Sequence, residues 1–306
     1  MAEWFKAHAW KACIWETVSR VRIPLSPPFL IWKIFFLNLD IKSRSKFSNI
    51  IKKINNTNHQ VSFGCDKLND INNFEFKNTS QNNEDGIINY IFSKLQIKKI
   101  NFVEIGFDYF ENNSLNFIVD TKKGLFIDGS KDKVYLLKKF LKLYFKNKNI
   151  FVYDIFINKK NINQVLEKFF TRNEEIDFLS IDVDGIDCYL LENLNFKPKV
   201  LCIEYNFWFG NTYSCAIPYS DKFIWKVGST YSGCSISALN KIALKKGYCL
   251  VALESNCVNA FFVRKDLAKN FQILDPSIDF KIPKKFNKVF FNKQKDLLMK
   301  KKLNFI

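Results

Sequence analysis

The chain predicts a doubly wound α/β fold: a mostly parallel sheet of seven strands, the last one antiparallel. Four short apolar runs each deliver acidic residues, mostly beside glycine: Val103-Glu104-Ile105-Gly106, Phe126-Ile127-Asp128-Gly129, Ser180-Ile181-Asp182-Val183-Asp184-Gly185 and Ile203-Glu204-Tyr205-Asn206. Buried parallel strands read as such runs, and their carboxyl ends are where an open α/β sheet binds ligands. Segments of helical periodicity alternate with the runs, which is the pattern of strand–helix–strand units. The last two apolar runs are separated by a turn only, too short for a helical crossover, so the closing strand has to turn back antiparallel.

Each element has its own local reason. Ser80 to Leu95 reads as a helix, with Ser80 at its start, Glu84 and Asp85 in its first turn and Ile87, Ile88, Ile91, Phe92 and Leu95 on one face. A strand over 101–106, a short helix near 113–120 and a strand over 124–128 follow. Val134, Leu137, Phe140, Leu141 and Tyr144 form the next helical stripe, and 150–156 the third strand. Asn161 suits the cap of a helix carrying Ile162, Val165, Leu166 and Phe169. The fourth and fifth strands fall at 177–183 and 199–205, the latter introduced by Pro198. Ser235 suits the cap of a helix ended by Gly247, and strands at 248–253 and 259–264 flank a turn at Asn256.

With 306 residues, 47% of them apolar, the chain can bury a large core. Its net charge of +17 looks like a polyanion signature, yet only five of the 47 basic residues are Arg. Nucleic-acid readers favour Arg for bidentate and stacked contacts. Lys, Asn, Ile and Phe are all abundant and all have AT-rich codons, so base composition explains much of the charge, and nucleic-acid binding ranks last among the readings. The eight cysteines show no metal-ligand spacing. Cys188, Cys202, Cys249 and Cys257 fall in or beside core elements, which predicts buried reduced thiols in a cytoplasmic protein. His8 and His59 are the only histidines. A site built beyond residue 59 therefore excludes a His general base, a Ser-His-Asp triad and His-based metal ligation.

Domain organisation reads as four segments. Residues 1–28 differ in composition, holding three of the six Trp and two of the five Arg. They resemble a serine transfer-RNA gene read in frame: Val21-Arg22-Ile23-Pro24 is what the T-arm consensus encodes. A spurious extension is the expectation; a targeting peptide fares worse, because Glu3, Lys6, Lys11 and Glu16 interrupt any apolar stretch. Residues 29–79 read as a lead-in, partly disordered; its apolar stretch 29–39 is too short to span a membrane and carries Lys33. Residues 80–267 form the main domain, and 268–306 a basic amphipathic tail, read as a helix packing one side on the domain.

The strand ends supply the candidate chemistry. Gly106 lets the backbone of the first loop approach a ligand closely. Asp128 ends the second strand, roughly 20 residues on, where a carboxylate accepts hydrogen bonds from ribose hydroxyls. Asp154 ends the third strand and is placed to meet an adenine amine. Asp182 and Asp184 share one side of their segment, as do Glu204 and Asn206 on the next strand. Carboxylates converging on one edge repel unless protonated or bound to a cation, and oxygen ligands of this kind suit magnesium, manganese or calcium. Asp182, Asp184 and Glu204 are therefore candidate metal ligands. The span 207–233 is long for a connection and rich in aromatics, with Phe207, Trp208, Tyr219, Phe223, Trp225 and Tyr231, so it reads as a lid or substrate wall.

In element order, and in Val103 to Gly106 with Glu111-Asn112-Asn113-Ser114, Gly124 to Ser130, Leu179 to Asp187 and Glu204-Tyr205-Asn206, the chain resembles class I S-adenosylmethionine-dependent methyltransferases, the FkbM type and related bacterial families above all. The resemblance covers roughly residues 80–267. It implies a Rossmann-like sheet with a reversed last strand and S-adenosylmethionine as cofactor, held by Glu104, Gly106, Asn113, Asp128 and Asp154. It further implies an acceptor hydroxyl on a small molecule or glycan, handled by Asp182, Asp184, Glu204 and Asn206 with an optional divalent cation. Phe107 to Phe110 depart from the glycine-rich loop of such families. Two other readings stay open: a metal-dependent glycosyltransferase using Asp182-Val183-Asp184, and a catalytically inactive interaction module.

Overall fold

The computed structural model describes residues 41–54, 70–145, 149–171, 173–284 and 286–306. The expectations for residues 1–39 lie outside these, as do both histidines.

Seven strands form one sheet: β1 (Ile100–Ile105), β2 (Thr121–Asp128), β3 (Ile150–Asp154), β4 (Phe178–Ile181), β5 (Val200–Glu204), β7 (Tyr248–Leu253) and β8 (Asn259–Arg264). A two-residue β6 (Cys215–Ala216) lies outside this sheet. The order across the sheet is β3-β2-β1-β4-β5-β8-β7. All neighbours pair parallel except β8, which runs antiparallel to both β5 and β7. This is the doubly wound, Rossmann-like sheet with a reversed closing strand that the sequence predicts, and the strand order reverses at β1–β4, where such sheets open a crevice.

Side chains alternate across the sheet and seed two cores. Val103, Ile105, Ile127, Leu179, Ile181 and Ile203 face one way. They are covered by α4 (Ile162–Glu167), α5 (Asp187–Asn193) and α6 (Ile236–Lys245). Phe102, Phe126, Phe178 and Cys202 face the other way, under α2 (Glu84–Lys94) and α3 (Lys131–Tyr144). Edge-to-face ring pairs such as Phe102–Phe126 and Phe117–Phe178 knit this second core.

One boundary departs from the sequence reading, and the lead-in contains a helix. Part of the lead-in is ordered: α1 (Ile41–Ile54) buries Phe47, Ile50 and Ile51, and the Phe47 ring lies 5.1 Å from Phe140 of α3. Spacing of i, i+3, i+4 outweighs the polar composition there. The first helix of the main domain starts at Glu84 rather than Ser80, because Asn78, Thr79 and Ser80 all turn their backbone N–H groups onto the Asp85 carboxylate. The segment near 113–120 is a 3-10 helix, Leu115–Asp120.

The tail packs back on the domain. Helix α8 (Lys288–Met299) inserts Phe291 and Leu298, and β9 (Asn304–Phe305) pairs antiparallel with β6. Between them and the rest lie α7 (Pro276–Asp279) and the 3-10 turn Lys265–Asn270. Among the described residues no helix is long and apolar enough to cross a membrane.

Candidate active site

Register lines up a polar row at the carboxyl edge. One rung inside it, Phe126, Glu104, Ser180 and Cys202 are mutual partners across β2, β1, β4 and β5. Two residues further along each strand stand Asp128, Gly106, Asp182 and Glu204, with Asp154 beside Asp128 and Asn259 beside Glu204. The period of two puts this row on one face of the sheet. Six of the nine residues proposed from sequence are thus at one edge: Gly106, Asp128, Asp154, Asp182, Asp184 and Glu204.

Gly106 sits at φ +78°, and a Cβ there would stand 1.6 Å from the Asp182 carbonyl oxygen. The close approach that demands glycine is between the β1 and β4 loops. Asp128 closes the first loop from the other side. Its carboxylate accepts from the N–H of Phe107 at 3.2 Å and of Ser130 at 2.6 Å, with Lys133 Nζ at 3.6 Å. Asp154 is exposed at the tip of β3.

Asp182, Asp184 and Glu204 form the centre. One carboxylate oxygen from each lies within 4.8 Å of the other two. Asp184 is held at φ +60°, in the left-handed region, and points outward from the turn. That turn is clasped by Asp187, which accepts from the N–H of Val183 at 2.7 Å and of Gly185 at 2.9 Å. Asp187 is buried and stands in the first turn of α5, where its carboxylate clasps the preceding backbone. Desolvation pushes its carboxyl up to about 7 despite those bonds. Burial, reinforced by the charges of Asp187, Asp184 and Glu84, holds Asp182 well above the usual carboxylate range. Burial and then Asp182, Asp187 and Asp184 do the same to Glu204. Each of the two carboxyls is raised in part by the charge of other acidic groups beside it, so they titrate as a pair. Asp184 is also raised by burial, with Lys133 opposing. Three oxygens this close, two of them reluctant to ionise, form a hard donor set that either a proton or a divalent cation satisfies.

Glu104, Asn113 and Asn206 point elsewhere. Glu104 is buried and accepts from the Asn113 N–H at 2.8 Å, while Asn113 donates its amide to Ser180 Oγ at 3.0 Å. Burial pushes the Glu104 carboxyl up to about 7. Both hold the first loop from beneath. Asn206 accepts from the Trp208 N–H and donates to the carbonyls of Thr230 and Ser232, at 2.7 and 2.8 Å, so its amide is committed to the lid.

The lid crosses this edge. Phe223 packs on Gly185, where an added Cβ would meet its ring at 2.2 Å. Tyr219 accepts from the Lys159 N–H at 3.2 Å, with Lys159 Nζ 4.1 Å from its ring centre, and Asp221 pairs with Lys160. The lid is thereby tied to the β3–α4 loop at one end and to Asn206 at the other.

Sequence reasoning missed a buried acidic neighbourhood behind the row. Glu84, which reads as a helix first-turn residue, is fully buried and accepts from the Asn259 amide at 2.9 Å. Glu75 and Glu254 are buried nearby, Glu75 accepting from the Ser255 N–H at 3.1 Å and Glu254 from the Asn256 N–H at 2.8 Å. Only the pairing of the β7–β8 hairpin with the start of α2 brings them together, a contact across about 170 residues that local pattern does not reveal.

No protein-family model matches the chain, and no curated protein does. Solved structures resemble it at low identity. A S-adenosylmethionine-dependent methyltransferase from Clostridium acetobutylicum is 10% identical, over 59% of this chain and 90% of that one, at a TM-score of 0.40. Magnesium protoporphyrin IX methyltransferase from Synechocystis PCC 6803, solved with S-adenosylmethionine, is 10% identical over 59% and 77%, at 0.37. M. capricolum TrmK, solved with S-adenosylhomocysteine, is 16% identical over 58% and 68%, at 0.34. The strand order and register described above carry the fold assignment.

Proposed function

We propose that the protein is an S-adenosylmethionine-dependent methyltransferase acting on a hydroxyl of a small molecule or glycan. The observation that carries the reading is the polar row at the switch point, where Asp128, Gly106, Asp182 and Glu204 stand side by side on one face. The first loop and Asp128 would hold the nucleoside, with Asp154 beside its base. Glu104 and Asn113 take the part of positioning residues that shape the loop. S-adenosylmethionine supplies an activated methyl group on a sulfonium, whose transfer needs in-line placement more than covalent catalysis.

Asp182 and Glu204 are the groups that would take the acceptor proton, since burial and neighbouring carboxylates make each a stronger base than a free carboxylate. Together with Asp184 they also fit a magnesium or manganese ion, which supplies a lowered acceptor pKa. Asn206 fastens the lid, and the lid excludes water from the edge.

Calorimetric titration of S-adenosylmethionine into the full chain, with and without magnesium, tests the reading. Saturable binding that Asp128→Ala abolishes supports it. No binding in either buffer sinks it, and nucleotide sugars with manganese become the ligands to try.

A further inference from the structure

Four aliphatic side chains stand in solvent on two segments beside the carboxyl edge. Ile224 and Val227, on the lid, are 76% and 92% exposed, and Val289 and Leu297, on α8, are 80% and 48% exposed. Single exposed aliphatics are ordinary, but a group of them on neighbouring segments marks an interaction surface. The two segments belong to one block. Phe223 and Tyr231 of the lid pack on the same small cluster, Phe209, Cys215, Ile217 and Leu298, as Met299 and Leu303 of the tail. The Tyr231 hydroxyl donates to the Lys302 carbonyl at 2.7 Å.

Lysines surround these aliphatics. Lys222 and Lys226 bracket Ile224 on the lid, and both are exposed. On α8, Phe291 and Leu298 face inward, so the spacing puts Val289, Lys293, Asp296 and Lys300 on the outward side, two lysines to one carboxylate. Residues 281–302 contain nine Lys against a single acidic residue, Asp296. The lid aromatics are turned to internal contacts: Phe223 lies on Gly185, and the Trp225 indole N–H donates to the Ser229 carbonyl at 2.9 Å.

We propose that the lid tip and the outward face of α8 form a docking surface for an anionic lipid bilayer. Aliphatic side chains interleaved with lysine match the two layers such a surface offers, the acyl boundary and the anionic headgroups. A nucleic acid would reward Arg, which this surface lacks, and free stacking rings, whereas the exposed ring of α8, Phe290, is already stacked on Phe286. Docking in this way sets the carboxyl edge against the headgroup layer. The inference goes beyond methyl transfer, and its test needs no turnover.

The test is co-sedimentation of the full chain with phosphatidylcholine vesicles, without and with phosphatidylglycerol, over a salt series. Binding is expected only with phosphatidylglycerol, and should weaken as salt rises. Ile224→Asp with Val227→Asp, and separately Lys293→Gln with Lys300→Gln, are each expected to weaken it on the order of tenfold or more, with unchanged melting temperature. No phosphatidylglycerol binding overturns the proposal. So does binding that the lysine pair weakens and the aliphatic pair does not, since that is plain charge attraction. Polyuridylate that binds the chain and displaces the vesicles, with a loss in both variants matching theirs, would assign the surface to nucleic acid instead.

Discussion

At the scale of single residues, Gly106 and Asp182 meet at one point of contact, and opposite outcomes are expected from changing them. Gly106→Ala introduces a Cβ into the Asp182 carbonyl and places a side chain at φ +78°. Backbone cannot move aside as a flexible side chain would, so a loss of at least about 2 kcal/mol is expected, read as a lower urea midpoint at constant slope. Asp182→Asn keeps shape and removes one of the mutually repelling carboxyls. The variant is expected to melt as high as the parent or higher, by up to about 1–2 kcal/mol, because active-site charge clusters lower stability. Calorimetry with manganese should find cation binding lost in the same variant. Reduced stability together with intact cation binding would remove Asp182 from the centre.

At the scale of elements, the lid depends on one aromatic contact. Gly185→Ala would push a methyl into the Phe223 ring, where the gap is 2.2 Å. Limited proteolysis is expected to cut within 218–230 several-fold faster in this variant, since lids are drawn from the least stable parts of a fold. Phe223→Ala added to it should give no further increase over Phe223→Ala alone, which is the signature of a shared contact. Elements were legible in proportion to how local their cause is. Strands β7 and β8 fall at the predicted residues, and Ser235 caps α6 by accepting from the Ala238 N–H. Asn161 stands at the start of α4 as expected, but its side-chain amide oxygen accepts from the Asn158 N–H instead of capping the helix. The acidic row was legible because strand ends and a period of two are written in the sequence. The commitments of Glu104, Asn113 and Asn206 were not, because each is set by partners on other elements.

At the scale of the whole molecule, the buried carboxyls make stability depend on pH in an unusual direction. Asp85 and Glu104 are both buried, and desolvation raises Asp85 to about 6 and Glu104 to about 7, from ordinary values of 3.8 and 4.5. Between the ordinary and the raised value the folded chain binds more protons than the unfolded chain does. The slope of unfolding free energy with pH is then negative, so stability is full below about pH 4 and falls as pH rises through 6 and 7. A group displaced as far as Glu104 accounts for about 3 kcal/mol of that fall. In the exposed Glu175 desolvation is the largest single influence and raises the carboxyl, but Lys199 and Arg264 together outweigh it and hold it low, so it works the other way with a small, solvent-screened effect. A melting temperature several degrees higher at pH 5 than at pH 7.5 is therefore expected, against the usual acid lability of proteins whose carboxylates are paired. Glu104→Gln keeps the bond from the Asn113 N–H and removes the proton linkage, so it should flatten the pH profile between 5 and 7.5. An unchanged profile in that variant would mean that Glu104 is ionised within the fold, and that a cation or ordered water meets its second oxygen.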